Sequence, residues 1–328
     1  MDIATLNIQQ IVDYSTSRFD DVVHEVFQYQ ARHNAIYKDY LQALRVRPDE
    51  VKDYTKIPFL PISFFKTHDV RSGSWSAETT FTSSGTTGAT TSQHAVRSKA
   101  DYVDHTIQLF ESTYGQVSEY CILGLLPSYL ERSGSGLITM VEGFMERSKH
   151  PQNGYFLYDH QALAERLLAL EAVGQKTLLI GVTFGLLDFA ENFAIPMHST
   201  LVMETGGMKG RGREMTREEV HRALEKAFEI PSVHSEYGMT ELSSQAYSVG
   251  QGIYLPGQGM RVLVRDTTDP LSCFEYGSGG LNIIDLANVH TCSFIATEDL
   301  GKVHPDGRFE VLGRFDQSDA RGCNLMVI

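Results

Sequence analysis

Basic residues are scarce in this chain: 28 Lys and Arg stand against 41 Asp and Glu, a formal charge of −13. Nucleic-acid backbones are bound by clustered cations, so this balance argues against a nucleic-acid partner. Cysteine is scarcer still. The four residues, Cys121, Cys273, Cys292 and Cys323, form no C-x-x-C pair and no zinc-like spacing. The opening Met1-Asp2-Ile3-Ala4 lacks the basic and apolar regions of a secretory leader. Together these absences predict a cytoplasmic protein without a disulfide framework. Long apolar runs are missing too. The stretches near Leu178–Leu187 and Cys121–Leu130 fall short of the ~20 residues that span a bilayer, so membrane insertion is not expected.

What is present is globular: 42% hydrophobic and 21% charged residues over 328 positions, enough for one large domain or two ordinary ones. No internal repeat or low-complexity linker divides it, which favours one. Val22, Val26, Tyr29, Ile36, Tyr37, Tyr40 and Leu41 recur at helical spacing and predict a helix over 19–44. Pro48, Pro58 and Pro61 then impose irregular chain. Beyond it, strands and helices alternate. Ser98, Asp159 and Thr216 are set to cap helices, and "KTLLIGV", "STLVMET" and "PSVHSEYG" read as strands. The alternation predicts an α/β fold with a mostly parallel sheet. From Gly257 the runs "MRVLVRD", "GGLNIID", "CSFIATED" and "FEVLGRF" predict a small antiparallel β module over 257–312.

The strongest chemical signal is "FTSSGTTGATTS". Thr82, Ser83, Ser84, Gly85, Thr86, Thr87 and Gly88 are all small or hydroxylated, so successive backbone N–H groups can converge on an anion. No Gly-Lys-Ser/Thr follows, which excludes a Walker A loop. Taken alone, the segment reads equally as a solvated linker. Three strand-to-loop junctions add weight: "LIGVTFG", "VMETGGMKGRG" and "HSEYGMTE". Ligands of open α/β sheets bind beyond the carboxyl ends of strands, where such loops meet. There Tyr237 can stack on a base, Thr240 can donate to a phosphate and Glu241 can hold Mg²⁺.

These segments resemble a known family. "TSSGTTG", "YGMTE", "ATEDLG" and "GRFD" occur in the order found in the adenylate-forming superfamily, and "PFLPISFFKTHDV", "ETGGMKGRG" and "VLGRFDQSDARGCNLM" resemble the acyl-protein synthetases of bacterial bioluminescence. The resemblance implies the N-terminal domain of an adenylate-forming enzyme over 1–312, which activates a carboxylic, specifically fatty, acid with ATP and Mg²⁺. It implies that Thr82–Gly88 cradle the phosphates and that Gly206, Gly207 and Met208 pass beside adenine. Within the run Tyr237, Gly238, Met239, Thr240 and Glu241, the aromatic ring would face the base, Thr240 the α-phosphate and Glu241 the metal. Asp299 would hold the ribose with Arg314 beside it.

Two departures stand out. Ala89-Thr90-Thr91 follows the Gly-rich loop where the family commonly carries Lys, and the chain stops at Ile328. A short arm over 313–328 is therefore expected in place of the family's C-terminal domain and its catalytic Lys. Lys209, Arg211 and Arg314 are the candidate replacement cations, Arg211 reading rather as a solvated surface charge. Near "LPSYLERSGSGL", Tyr129, Arg132, Ser133 and Ser135 suit either an acyl-binding wall or an ordinary loop-to-helix junction. Cys121, Cys273 and Cys292 read as small buried hydrophobes. Cys323 follows Arg321-Gly322 close to the chain end, which favours a mobile thiolate, and the resemblance makes it the acyl acceptor. Acyltransferase and reductase proteins would then be partners, with homo-oligomerisation left open. The competing readings are an acyl- or aryl-CoA ligase similar to phenylacetate–CoA ligase, and a non-catalytic nucleotide-binding scaffold.

Overall fold

The structure, a computed structural model, describes residues 3–83, 91–126, 134–206 and 215–315. Helix α1 (Ile8–His33) starts with a reciprocal capping box between Asn7 and Gln10. Asn34 ends it and caps α2 (Ala35–Ala43) by accepting from the Tyr37 N–H. The single helix expected over 19–44 is thus two, beginning at Ile8. The break is tertiary in origin: Asn34 Nδ2 also donates to the Thr291 carbonyl, 2.9 Å away.

Strand β1 (Leu60–Pro61), the short helix α3 (Phe64–Thr67), and strands β2 (Thr79–Thr82) and β3 (Gln93–Val96) come next. Helix α4 (Lys99–Tyr114), β4 (Cys121–Leu125), α5 (Gly136–Ser148), β5 (Gly154–Tyr155) and α6 (His160–Ala172) follow. Then come β6 (Thr177–Val182), α7 (Thr183–Asn192), β7 (Thr200–Thr205), α8 (Arg217–Phe228) and β8 (His234–Tyr237). The expected caps are in place: Ser98 accepts from Asp101 N–H and Asp159 from Ala162 N–H, and Thr216 and Glu219 form a full capping box. Junction "LIGVTFG" differs from expectation. No loop follows β6, because α7 begins at Thr183, whose hydroxyl turns inward to the Glu204 carboxylate at 2.7 Å.

Strands β9 (Ala246–Ser248), β10 (Ile253–Pro256), β11 (Met260–Arg265), β12 (Cys273–Phe274), β13 (Gly277–Asp285), β14 (Phe294–Val303) and β15 (Phe309–Arg314) complete the sheet. Its order is β12-β11-β13-β14-β15-β10-β9-β8-β7-β6-β4-β5, with β1 added in parallel beside β14. From β5 to β8 neighbours run parallel, and from β8 to β12 antiparallel. Because β10 pairs with β9 on one edge and β15 on the other, the antiparallel strands continue the same ladder.

Alternation along the parallel strands builds two cores. Ile122, Leu178 and Ile180 face α4 and α5 through Phe110 and Phe144. Leu123, Leu179 and Val202 face α6, α7 and α8 through Leu167, Phe189 and Phe228. Each such fully buried side chain contributes about 1.5–3 kcal/mol. A third core joins α1 and α2 to the antiparallel strands, with Phe27, Tyr37 and Phe59 packed around Phe294. Among the described residues no helix is long and apolar enough to cross a membrane.

Candidate active site

The parallel strands β6, β7 and β8 end on the same edge, and the β2–β3 hairpin meets the segment after β8 through His94 and Ser92. This hairpin is a separate two-stranded sheet, so no ladder bonds tie it to the main one. Its base is fixed by Thr82 N–H, which donates to the Gly134 carbonyl at 2.8 Å, and by Ser83 and Ser92, which exchange bonds of 3.1 and 2.8 Å. A side chain at Gly134, whose φ is +79°, would meet the Thr80 carbonyl at 2.9 Å. The hairpin is therefore closely packed at Thr82, Ser83 and Ser92.

Thr240 and Glu241 follow β8 and meet this hairpin. His94 Nδ1 lies 2.8 Å from the Thr240 carbonyl. Glu241 is buried, and burial pushes its carboxyl up, opposed by the Ser92 hydroxyl and by the charges of Lys66 and Arg314. Asn288 Nδ2 donates to the Glu241 carbonyl at 2.7 Å, and Asp285 accepts from the Ser243 and Ser244 amides at 3.0 and 2.9 Å. Met239 packs on the third core. A Cβ at Gly238 would stand 2.4 Å from Glu236 Oε1, so a larger residue there displaces a buried carboxyl.

On the antiparallel side, register sets Asp299 opposite Arg314. Tyr237 donates its hydroxyl to Asp299 Oδ2 at 2.8 Å, and Arg314 Nε stands 3.3 Å from Oδ1. Burial holds the Asp299 carboxyl above its ordinary range despite both contacts. The Arg314 side chain is two-thirds exposed, at 66%, so water screens its ion pair. Tyr237 itself is buried between the rings of Tyr254 and Phe309, with centroids 5.7 and 5.3 Å away.

Gly206, with φ +78°, ends β7 and accepts from the Thr183 hydroxyl at 3.3 Å. Ser84, Gly85, Thr86, Thr87, Gly88, Gly207, Met208, Lys209, Arg211, Tyr129, Arg132, Ser133 and Cys323 lie outside the described residues. The structure thus brings together Thr82, Ser83, Tyr237, Thr240, Glu241, Asp299 and Arg314. The other three thiols are buried, Cys121 pushed up to about 11 and Cys292 to about 12 by desolvation, as befits inert core cysteines.

Several polar residues of this region escape a reading of the sequence. Glu204 receives the Thr183 and Ser235 hydroxyls at 2.7 and 3.2 Å and lies 3.5 Å from His221 Nε2. Burial raises its carboxyl, but His221, Thr183 and the Arg217 charge outweigh that and hold it low. Glu236 has the Thr205 hydroxyl at 2.6 Å, and burial pushes it up to about 7. For Ser92 and His94 one signal was available: with Val96 they form an every-second-residue series, and all three are buried.

No protein-family model matches this sequence, and no curated protein does. Solved structures match it. The ATP-bound RpMatB–BxBclM chimera B3 superposes with a TM-score of 0.55 at 15% identity, over 72% of this chain and 47% of that one. ATP-bound MatB from Rhodopseudomonas palustris gives 0.53 at 16%, over 72% and 47%. The O-succinylbenzoate–coenzyme A synthetase MenE of Bacillus subtilis, in complex with ATP and magnesium, gives 0.52 at 18%, over 72% and 49%. This chain spans about half the length of those proteins. At such identity the likeness is one of fold, and it bears out the expected architecture: the chain carries the mixed α/β fold of the N-terminal domain of adenylate-forming enzymes.

Proposed function

We propose that this chain activates a carboxylic acid with ATP, forming an acyl-AMP and releasing pyrophosphate. One observation carries the reading: three segments far apart in sequence converge through His94 on Thr240, Ser92 on Glu241 and Tyr237 on Asp299. In this reading the hairpin amides and hydroxyls of 82–88 hold the phosphates, and Thr240 donates to the α-phosphate. Asp299 accepts from the ribose hydroxyls, with Arg314 beside it. Gly206, Gly207 and Met208 pass the adenine, while Tyr237, buried between Tyr254 and Phe309, orients Asp299 through its hydroxyl. A substrate carboxylate oxygen attacks the α-phosphorus, and the bond to pyrophosphate breaks.

Mg²⁺ takes one or two carboxylates together with phosphate oxygens, so the Glu241 carboxylate, buried beside the Ser92 hydroxyl, suits it. Bound there, the ion supplies positive charge to the developing phosphorane. Lys209 and Arg314 are the protein's own cations for the same task.

A deprotonated thiol then attacks the acyl carbonyl carbon, a thioester forms, and the bond to AMP breaks so that AMP leaves. By resemblance to the bioluminescence acyl-protein synthetases, that thiol is Cys323, and a fatty acid, an acyltransferase and a reductase are the substrate and partners. A coenzyme A acceptor is the second reading, favoured by the fold shared with a coenzyme A synthetase. ATP–pyrophosphate exchange across a panel of fatty and aryl acids tests the activity. Exchange with at least one acid supports it, and ATP binding without exchange for any acid leaves a nucleotide-binding scaffold instead. Product analysis with and without coenzyme A separates the two acceptors.

A further inference from the structure

The β2–β3 hairpin poses a physical problem. Two-stranded hairpins are marginal by themselves. Here, among the described residues, the strands pair only with each other, yet Thr82, Ser83 and Ser92 must hold one distance from Thr240 and Glu241 if they are to serve one site. Ladder hydrogen bonds do not fix that distance. The side chain of His94, fully enclosed and packed edge-on against Phe65, spans the gap.

The hydrogen bonds of His94 close a circuit. A carbonyl can only accept, so the 2.8 Å contact with Thr240 O makes Nδ1 the protonated nitrogen. Burial lowers the ring to about 4 and keeps it neutral, so Nε2 is an acceptor, 3.1 Å from the Thr291 hydroxyl. Thr291 N–H donates to the Asn288 carbonyl at 2.9 Å, and Asn288 Nδ2 donates to the Glu241 carbonyl at 2.7 Å. Two consecutive carbonyls, Thr240 and Glu241, are thereby each held, one by the hairpin and one by the turn after β13. Hydrogen bonds in such low-dielectric circuits reinforce one another, and an unmade one is costly.

We propose that His94 is a positioning residue: its neutral ring clamps strand β3 to the Thr240–Glu241 backbone and so sets the spacing between Thr82, Ser83 and Ser92 on the hairpin and the Thr240 and Glu241 side chains. The clamp rests on the adenylating activity proposed above for its purpose, but its existence can be measured without that activity. A misplacement of reacting groups by about 1 Å can cost roughly 10²-fold in rate, so a clamp acts on turnover more than on substrate affinity.

Hydrogen exchange on the full chain tests the geometry, with His94→Phe, His94→Asn and Thr291→Val as variants. His94→Phe keeps the ring and loses both polar contacts. It is expected to speed amide exchange roughly tenfold within 91–96 and 239–243, leaving 177–182 unchanged. His94→Asn offers an N–H near the Nδ1 position and is expected to restore most of the protection. In pyrophosphate exchange with ATP and an accepted acid, the Phe variant should lose kcat with both KM values within about threefold, and the Asn variant should recover it. Wild-type protection in His94→Phe, or equal loss in Phe and Asn variants, overturns the clamp. If His94→Phe fails to fold, Thr291→Val decides: faster exchange over 91–96 supports the clamp, and unchanged exchange there overturns it. Absence of pyrophosphate exchange in the wild type overturns the proposed activity alone, since the amide data stand apart from it.

Discussion

The Tyr237 hydroxyl donates to Asp299 Oδ2 at 2.8 Å, joining the last parallel strand, β8, to β14 of the antiparallel half. Both residues are buried, and Asp299 keeps Oδ1 turned toward Arg314. The sheet that carries the motifs is thus stitched across its change of strand direction by a pair drawn from two of those motifs.

Removing either partner should separate stability from binding. Tyr237→Phe leaves a buried carboxyl short of one donor and is expected to cost about 1–3 kcal/mol in denaturant unfolding. Asp299→Ala is expected to raise the KM for ATP about tenfold or more, with a smaller effect on the acid, because charge-assisted bonds from two ribose hydroxyls would be lost. Unaltered ATP affinity by calorimetry would make Asp299 purely structural.

Thr240→Ala and Glu241→Gln should each slow pyrophosphate exchange about 10²-fold while leaving the unfolding midpoint close to wild type. For Glu241→Gln, raising the Mg²⁺ concentration should recover part of the loss, as expected for a weakened metal ligand. Exchange at the wild-type rate in both variants would remove these residues from the site.

Stability should respond to pH through buried groups of opposite sign. Burial raises Glu236 to about 7, so the folded state holds its proton between the ordinary carboxyl range and 7. Its contribution is complete below the unfolded pKa and is lost as pH rises through 7, a change on the order of 3 kcal/mol. Thr205, Tyr102 and Tyr247 are the polar neighbours that sense this charge. Glu236→Gln abolishes the titration, so its stability relative to wild type should increase by about 2–3 kcal/mol between pH 4.5 and pH 8. A constant difference in denaturation free energy across that range would refute the assignment. His94, His105 and His290, each lowered to about 4 by desolvation, work the other way. Their contribution is complete above the unfolded pKa near 6.5 and is lost as pH falls toward 4, so the protein as a whole should unfold on acidification.

Cys323 is the one thiol whose surroundings the described residues do not include, while the other three are buried. Incubation with ATP, Mg²⁺ and a radiolabelled fatty acid should give hydroxylamine-sensitive label on the chain, lost in Cys323→Ser. Thioester label persisting in that variant would move the acceptor to another cysteine. Active pyrophosphate exchange without any label would point to an external thiol.

The sequence by itself determined what short-range chemistry can decide. Ser98, Asp159 and the Thr216–Glu219 pair start their helices because a cap needs only a side chain and an amide within one turn. The strand runs of β6, β7, β11 and β14 were legible because a buried strand needs only a continuous or alternating apolar run. The motif residues Thr82, Thr240 and Glu241 stood out by composition and position, and Asp299 by the family resemblance. Tertiary structure alone decided the rest. The break at Asn34 answers to Thr291, the inward turn of Thr183 to Glu204, and the ring of His94 to Thr240, each across a long loop of chain. A polar residue reads as surface until its burial is known, and burial is a property of what packs over it. Such partners are chosen by the sheet order, which no local pattern encodes: β10 lies between β9 and β15 because its two edges find separate mates only once the whole ladder has assembled.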